Sequence, residues 1–304
     1  MKNLNKVETL DLNFQNIPGT IAAYIIRHSH GAILVECGPG STIEELVARL
    51  RTYGLKPADI SDVLLTHIHL DHGGSAGWWA RQGARIHVHP VGAPHLVEPE
   101  RLLSSARRIY GDMMESLWGE FIPVPENKLV VHEDNEIIQI EGLEFKALDT
   151  PGHAYHHLAY IFQGICFSGD IGAVRVGEVR HLRIPMPPPE LNLKLWRQSL
   201  RKLQLEYEKG TITQIAPTHF GIFDDPGWHL NSLMMLIDEI ESWIERVMPA
   251  DPSVEELNDE FLRWTMQRSK KDGLSDEDIK AFEAANPSWM SAPGIYRYWY
   301  KNHA

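Results

Sequence analysis

Short apolar runs recur along most of this chain, and many end at glycine, proline, histidine or aspartate. Ile21 to Ile26 and Ala32 to Cys37 read as two strands joined at a His30-Gly31 hairpin turn. Val63-Leu64-Leu65 has the character of a buried strand. Strand signals follow at Ile86 to His89, Leu129 to His132, Glu136 to Ile140, Leu143 to Leu148, His157 to Phe162, Ile165 to Phe167 and Thr213 to Ala216. Helical spacing appears elsewhere. Ser41 with Glu44 is a capping-box signature opening a helix through about Tyr53. The spacing of Leu103, Ala106, Ile109, Tyr110, Met113, Met114 and Leu117 predicts one helix over 100–118. Leu193 to Tyr207 and Leu230 to Val247 are amphipathic, and a second capping box, Ser253 with Glu256, opens a helix bearing Phe261 and Trp264. Another helix starts near Ser275, and the end is aromatic, with Trp289, Tyr296, Tyr298, Trp299 and Tyr300.

These elements divide the chain into a core over 1–248, with a helical insertion at about 91–125, and a helical extension over 249–304 packed on that core. Two readings of the insertion stand: a helix packed on the core, or a lid whose Tyr110, Met113, Met114 or Trp118 meets an apolar part of a substrate. The aromatic extension is expected to cover the core or a partner subunit, which leaves a homodimer as one expectation.

Composition narrows the function classes. With 304 residues and 43% hydrophobic content, the chain can bury a substantial core. Its 29 basic against 41 acidic residues give a formal charge of −12, which disfavours nucleic acid and leaves a small molecule as the expected substrate. No apolar run reaches spanning length, and Met1 to Lys6 carries no apolar leader region, so a cytoplasmic protein with no membrane partner is expected. Cys37 and Cys166 lie far apart, each inside a strand, and read as buried free thiols.

The chemistry concentrates at strand ends. His67, His69, Asp71 and His72 fall within six residues, directly after the Val63-Leu64-Leu65 strand and before Gly73-Gly74. A catalytic divalent metal needs several donors on one side and an open position on the other, and imidazole with carboxylate suits zinc, iron or manganese. The same pattern returns in Thr150-Pro151-Gly152-His153, Ser168-Gly169-Asp170 and Pro217-Thr218-His219. No Gly-X-Ser-X-Gly elbow occurs and neither cysteine has an adjacent base, so a covalent nucleophile is disfavoured.

Several residues have weaker signals. His28 and His30 read as solvated turn residues, and His87 and His89 as one face of a strand with structural or surface roles. His156 and His157 are adjacent on a strand, so one at most faces the site, and Asp149 is a candidate to orient a ligand histidine. Arg175, Arg180 and Arg183 precede the stiff segment Ile184 to Pro189 and are either solvated charges or a carboxylate clamp. Tyr110, Met113, Trp118, His156 and Arg183 are the candidate substrate contacts.

The motif His-X-His-X-Asp-His, with Thr-Pro-Gly-His, Ser-Gly-Asp and Pro-Thr-His downstream, resembles the metallo-β-lactamase superfamily, the fold of glyoxalase II, lactonases and RNase Z. The likeness runs from about Gly38 to Gly221. It implies an α/β fold, a four-layer αββα sandwich with the site at one edge. It also implies His67, His69 and His153 on one metal, Asp71, His72 and His219 on a second, and Asp170 bridging them. Many relatives carry Asp-X-Gly where this chain has Glu36-Cys37-Gly38. The implied cofactor is a pair of divalent metal ions, zinc first, iron or manganese otherwise. The implied reaction is hydrolysis of an ester, lactone or thioester by a metal-bridging hydroxide, with Asp71 and Asp170 as the catalytic residues. The alternatives are a mononuclear iron dioxygenase of thiols or persulfides, an RNase Z-like phosphodiesterase and a non-catalytic binding protein. Unlike acyl-homoserine lactonases, the chain has no tyrosine after Asp170 until Tyr207.

Overall fold

Two sheets pack face to face in the computed structural model, which describes residues 6–303. The first sheet has the order β1 (Val7–Asp11), β2 (Ala22–His28), β3 (Gly31–Val35), β4 (Ile60–Leu64), β5 (Arg85–Val88) and β6 (Leu129–Val131). The second runs β11 (Gln214–Ala216), β10 (Ile165–Phe167), β9 (Leu158–Phe162), β8 (Leu143–Asp149) and β7 (Ile137–Ile140). β1 to β3 pair antiparallel, whereas β3 to β6 are parallel, each joined to the next by helical crossovers. The turns Glu141-Gly142 and Gln163-Gly164 hold both residues at positive φ, the backbone that matches a two-residue hairpin to strand twist.

Alternation along the strands sorts side chains between layers. Tyr24, Ile33, Leu64, Phe145, Phe162 and Phe167 fill the space between the sheets. Burying each of those phenylalanines contributes roughly 1.5–3 kcal/mol. On the outer face of the first sheet, Ile25, Leu34, Val63 and Ile86 meet α1 (Ile43–Thr52) and α3 (Ala76–Gln82), with the four-residue α2 (Leu70–Gly73) leading into α3. The insertion, α4 (Ala93–Val97), α5 (Glu100–Tyr110) and α6 (Met114–Trp118), adds Leu96, Ala106 and Trp118 to that layer. On the other side, Leu148, Ile161 and Cys166 face α7 (Leu193–Glu208) and α8 (Pro226–Val247). α9 (Val254–Lys271), α10 (Asp276–Ala285) and α11 (Ser288–His303) follow; Leu257, Phe261, Ala292 and Ile295 join this second outer layer. The order of layers is helix, sheet, sheet, helix. Among the described residues, no helix is long and apolar enough to cross a membrane.

Some local expectations change. Ser41 does not cap a helix: it sits in a 3-10 turn and donates its hydroxyl to the Leu117 carbonyl, so it ties the insertion to the core. The 100–118 helix is broken at Gly111, which takes φ 51 after Tyr110, and a 3-10 turn separates α5 from α6. Ser253 and Ser275 both form complete capping boxes. His28 is buried, its Nε2 paired with Ser61 Oγ at 3.0 Å; His30 is exposed. The extension turns most of its aromatic surface inward, with Trp264, Tyr296 and Tyr298 against the α7–α8 layer. Met1 to Asn5, read for its lack of an apolar leader, lies outside the described residues.

Candidate metal centre

Four strand ends deliver the predicted ligand residues to one edge of the sandwich. His67 and His69 lie in the loop after β4, Asp71 and His72 in α2, His153 after β8, Asp170 in a 3-10 turn after β10, and His219 after β11. The fold needs close backbone approach here: Gly152 has φ 148, and a β-carbon on it would overlap the Trp196 backbone of α7. Glycine before His153 therefore lets the loop lie flat on that helix.

The donor atoms form two groups. His67 Nε2 and His153 Nε2 lie 3.0 and 2.9 Å from His69 Nδ1. Asp71 Oδ2 is 3.6 Å from His72 Nε2 and 3.4 Å from His219 Nε2. Asp170 stands between the groups, with Oδ2 3.2 Å from His153 Nε2 and Oδ1 3.3 Å from His72 Nε2 and 3.6 Å from His219 Nε2.

Outer partners fix which ring nitrogen faces inward. His153 Nδ1 donates to the Pro185 carbonyl at 3.0 Å, and His219 Nδ1 to the Thr20 carbonyl at 2.6 Å. His67 Nδ1 donates to Thr66 Oγ1 at 3.1 Å, and that hydroxyl in turn donates to Glu36. His72 Nδ1 and the Thr218 hydroxyl also donate to Glu36 Oε1, at 3.1 and 3.0 Å. Glu36, in the left-handed backbone region at φ 63, thus reaches ligands of both groups. The inner nitrogens are left with lone pairs that converge, and His72 Nε2 and Asp170 Oδ1 are buried without a hydrogen-bond partner. Buried acceptors crowded in this way fit cations, and the two groups qualify as sites able to hold a metal ion.

Electrostatics separate the groups. Burial, with neighbouring imidazoles, holds His67 well below the usual histidine range and brings His69 down to about 3, so both rings are neutral donors near pH 7. Burial opposes protonation of His72 and His219, but Asp71 and Asp170 outweigh it and raise both. Burial likewise opposes ionisation of Asp71, yet His72 and His219 bring its pKa to about 2.

A cavity of about 310 Å³ opens onto this edge. His69, Asp71, His153, Asp170 and His219 contribute to its floor, and α5, the 185–190 segment, Asn286 and Met290 to its walls.

Residues 16–219 match the family model described as the metallo-beta-lactamase superfamily. The chain belongs to the metallo-beta-lactamase superfamily. It is 29% identical to a metallo-beta-lactamase fold-containing protein of Sulfurisphaera tokodaii over 49% of this chain and 58% of that one. It is 29% identical to an atrochrysone carboxyl ACP thioesterase of Aspergillus fumigatus over 60% of this chain and 46% of that one. The chain thus spans about half the length of these curated relatives. A hydroxyacylglutathione hydrolase of Methylobacterium is 27% identical over 73% of this chain and 76% of that one. A solved metallo-beta-lactamase family protein of Thermus thermophilus aligns with a TM-score of 0.66 at 21% identity, covering 98% of this chain and 94% of the other, a likeness of fold.

Within this superfamily fold the weaker candidates separate. Tyr110 and His156 line the cavity. Met113 is 46% exposed and off the cavity, and Trp118 is buried, stacked on Phe14 with ring centres 5.6 Å apart. Arg183 points away, into the extension: it pairs with Glu283 and donates to Ser269 Oγ at 3.5 Å, so its charge is spent on docking α9 and α10. Arg175 is likewise paired, with Asp225. Asp149 contacts none of the ligand histidines; its Oδ1 is 3.4 Å from His89 Nε2. His157 lies behind the site, its Nδ1 2.8 Å from Thr150 Oγ1. Sequence reasoning missed Arg101, Arg108, Glu190, Asn286 and Met290 as cavity residues. Only the helical spacing of α5 hinted at the first two.

Proposed function

We propose that this chain is a metal-dependent hydrolase of a small-molecule ester, lactone or thioester. The observation that carries the reading is Asp170, whose two carboxylate oxygens each face a different group of donors. His67, His69 and His153 would hold one divalent ion, Asp71, His72 and His219 a second, and Asp170 would join them. Such a pair supplies an activated water and a Lewis acid for a carbonyl oxygen.

The chain's own residues do the rest. Thr66, Glu36, Thr20 and Pro185 keep the ligand rings in one tautomer, so the inner nitrogens need no rearrangement. Ile68, Leu70, Ile109, Tyr110 and Met290 give the cavity apolar surface that orients an acyl chain and excludes bulk water. Relatives named as a thioesterase and as a hydroxyacylglutathione hydrolase favour acyl transfer to water over the alternatives.

The test joins metal analysis to turnover. Protein purified without added metal should hold about two divalent ions per chain, and it should cleave at least one member of an ester, lactone and thioester panel. Asp170→Ala should lose both properties. A single iron, with oxygen uptake on thiol or persulfide substrates, would overturn the reading in favour of dioxygenase chemistry.

A further inference from the structure

The cavity wall facing the candidate metal centre carries positive charge that the fold does not neutralise. Arg101, Ser105 and Arg108 occupy positions i, i+4 and i+7 of α5 and all line the cavity. Among the described residues Arg101 has no carboxylate partner, and the Arg108 guanidinium makes one hydrogen bond, from Nη1 to Ser104 Oγ at 3.4 Å. Arg101 and Arg108 are exposed residues on the cavity lining, whereas the buried Arg175 and Arg183 are each paired with an acid, Asp225 and Glu283. A chain of net charge −12 has acids to spare, yet none is placed here.

The acids at the cavity lie elsewhere on its lining. Asp71 and Asp170 belong to the donor groups, and Glu190 accepts from the Tyr155 backbone N–H at 2.9 Å. Leu102 and Ile109, on the same helix as the arginines, and Met290 add apolar contact. The cavity lining thus combines cations and apolar side chains on α5 with metal-type donors at the floor. Its volume of about 310 Å³ holds a short acyl group and one polar end, so a larger carrier would have to remain outside.

We propose that the cavity binds an acyl thioester or ester whose non-reacting end carries an anionic oxyacid, a carboxylate or a phosphate, held by Arg101 and Arg108. Guanidinium matches both groups with paired N–H donors. The inference rests on the hydrolase reading above for the fate of the bound molecule: water adds across the acyl carbon, the C–S or C–O bond breaks, and carboxylate, proton and thiol or alcohol leave.

Four thioesters of butanoic acid test it by thiol release: those of 3-mercaptopropionate, 6-mercaptohexanoate and 2-mercaptoethyl phosphate, and the neutral amide of the first. At least one anionic member should exceed the amide by about tenfold in kcat/KM, carried by KM. Whether carboxylate or phosphate wins identifies the oxyacid. Arg101→Gln with Arg108→Gln should bring the anionic-to-amide ratio of kcat/KM to about one, and Arg107→Gln, on the same helix off the cavity, should keep the wild-type ratio. The corresponding thioethers, which are not cleaved, separate binding from turnover by calorimetry. Equal binding of anionic and amide thioethers overturns the inference whatever the enzyme hydrolyses. Arginine-dependent binding of an anionic thioether with no thiol release leaves the subsite standing and overturns the hydrolase reading.

Discussion

Gly294 of α11 lies against the backbone of Met186 so closely that a β-carbon on the glycine would overlap the Met186 carbonyl. One residue earlier, the Pro185 carbonyl accepts from His153 Nδ1. The extension therefore bears on a candidate metal ligand through a single short segment. Asn286 Nδ2 and Arg268 Nη1 brace the same segment at the carbonyls of Ile184 and Leu182. Gly294→Ala should push α11 off this segment, costing roughly 1–3 kcal/mol as overpacking does, and should loosen the His153 ring. Denaturant unfolding reads the first effect and metal titration against a chelator the second. A variant with wild-type stability and wild-type metal affinity would remove the extension from any role at the site.

Glu36 is the residue where the motif departs from its relatives, and its single oxygen Oε1 receives donors from Thr66, His72 and Thr218. Glu36→Gln preserves shape but exchanges one carboxylate oxygen for an N–H donor, which opposes those donors or the Thr66 N–H bonded to Oε2. We expect metal affinity to fall by about 10–100-fold, the usual range for a lost outer partner of a ligand. Far-ultraviolet circular dichroism should be unchanged. Undiminished affinity in competition with a chelator would show that the ligand rings hold their places without this carboxylate.

How far these contacts were visible beforehand depends on their range along the chain. The strand-end ligands follow local rules: an apolar run, a turn residue, a histidine or aspartate. The second-sheet ligands converge because β8, β10 and β11 run the same way, with β9 antiparallel between β8 and β10, so their ends share one edge. Glu36 stood out as an exchanged residue, but its three partners come from β4 and β11 loops and could not be read from spacing. Arg183 failed for the same reason: Glu283 is 100 residues away. The break at Gly111 was masked because apolar spacing persists across it while the backbone turns.

His229 offers a pH test away from the candidate centre. It is fully buried in α8 with Nε2 donating to the Gly172 carbonyl at 2.7 Å, and burial, with Arg175 nearby, lowers its pKa to about 4. The unfolded chain binds the proton near pH 6.5, whereas the folded chain resists until about pH 4. Its neutral form therefore costs nothing above pH 6.5, and stability is lost as pH falls between these values. The loss attributable to His229 should reach about 2 kcal/mol at pH 5. His229→Gln keeps a donor without titrating, so the difference between wild type and variant in urea unfolding should shift by that amount between pH 8 and pH 5. A difference independent of pH would mean that His229 takes up its proton in the folded protein as readily as in the unfolded chain.

The histidine reserved for a surface or structural role, His87, proves to be the centre of a buried chain. Its Nε2 is 2.8 Å from Asp62 Oδ1, its Nδ1 is 2.7 Å from His132 Nε2, and His132 Nδ1 is 2.8 Å from Glu136 Oε1. Three hydrogen bonds link two imidazoles and two carboxylates, so three protons are needed where two neutral rings bring two. The row is complete only when it holds one extra proton, but burial, with His87 alongside, keeps His132 below the usual histidine range despite Glu136. His132→Leu removes two of the three bonds and leaves His87 Nδ1 buried and unpaired, costing about 1–3 kcal/mol. Asp62 retains Arg85 as a second partner at 2.8 Å, so the change should not unfold the sheet edge. Nitrogen chemical shifts of the His132 ring provide the sharper measurement: a neutral ring near pH 7 is expected, and an imidazolium there would mean that Glu136 outweighs burial.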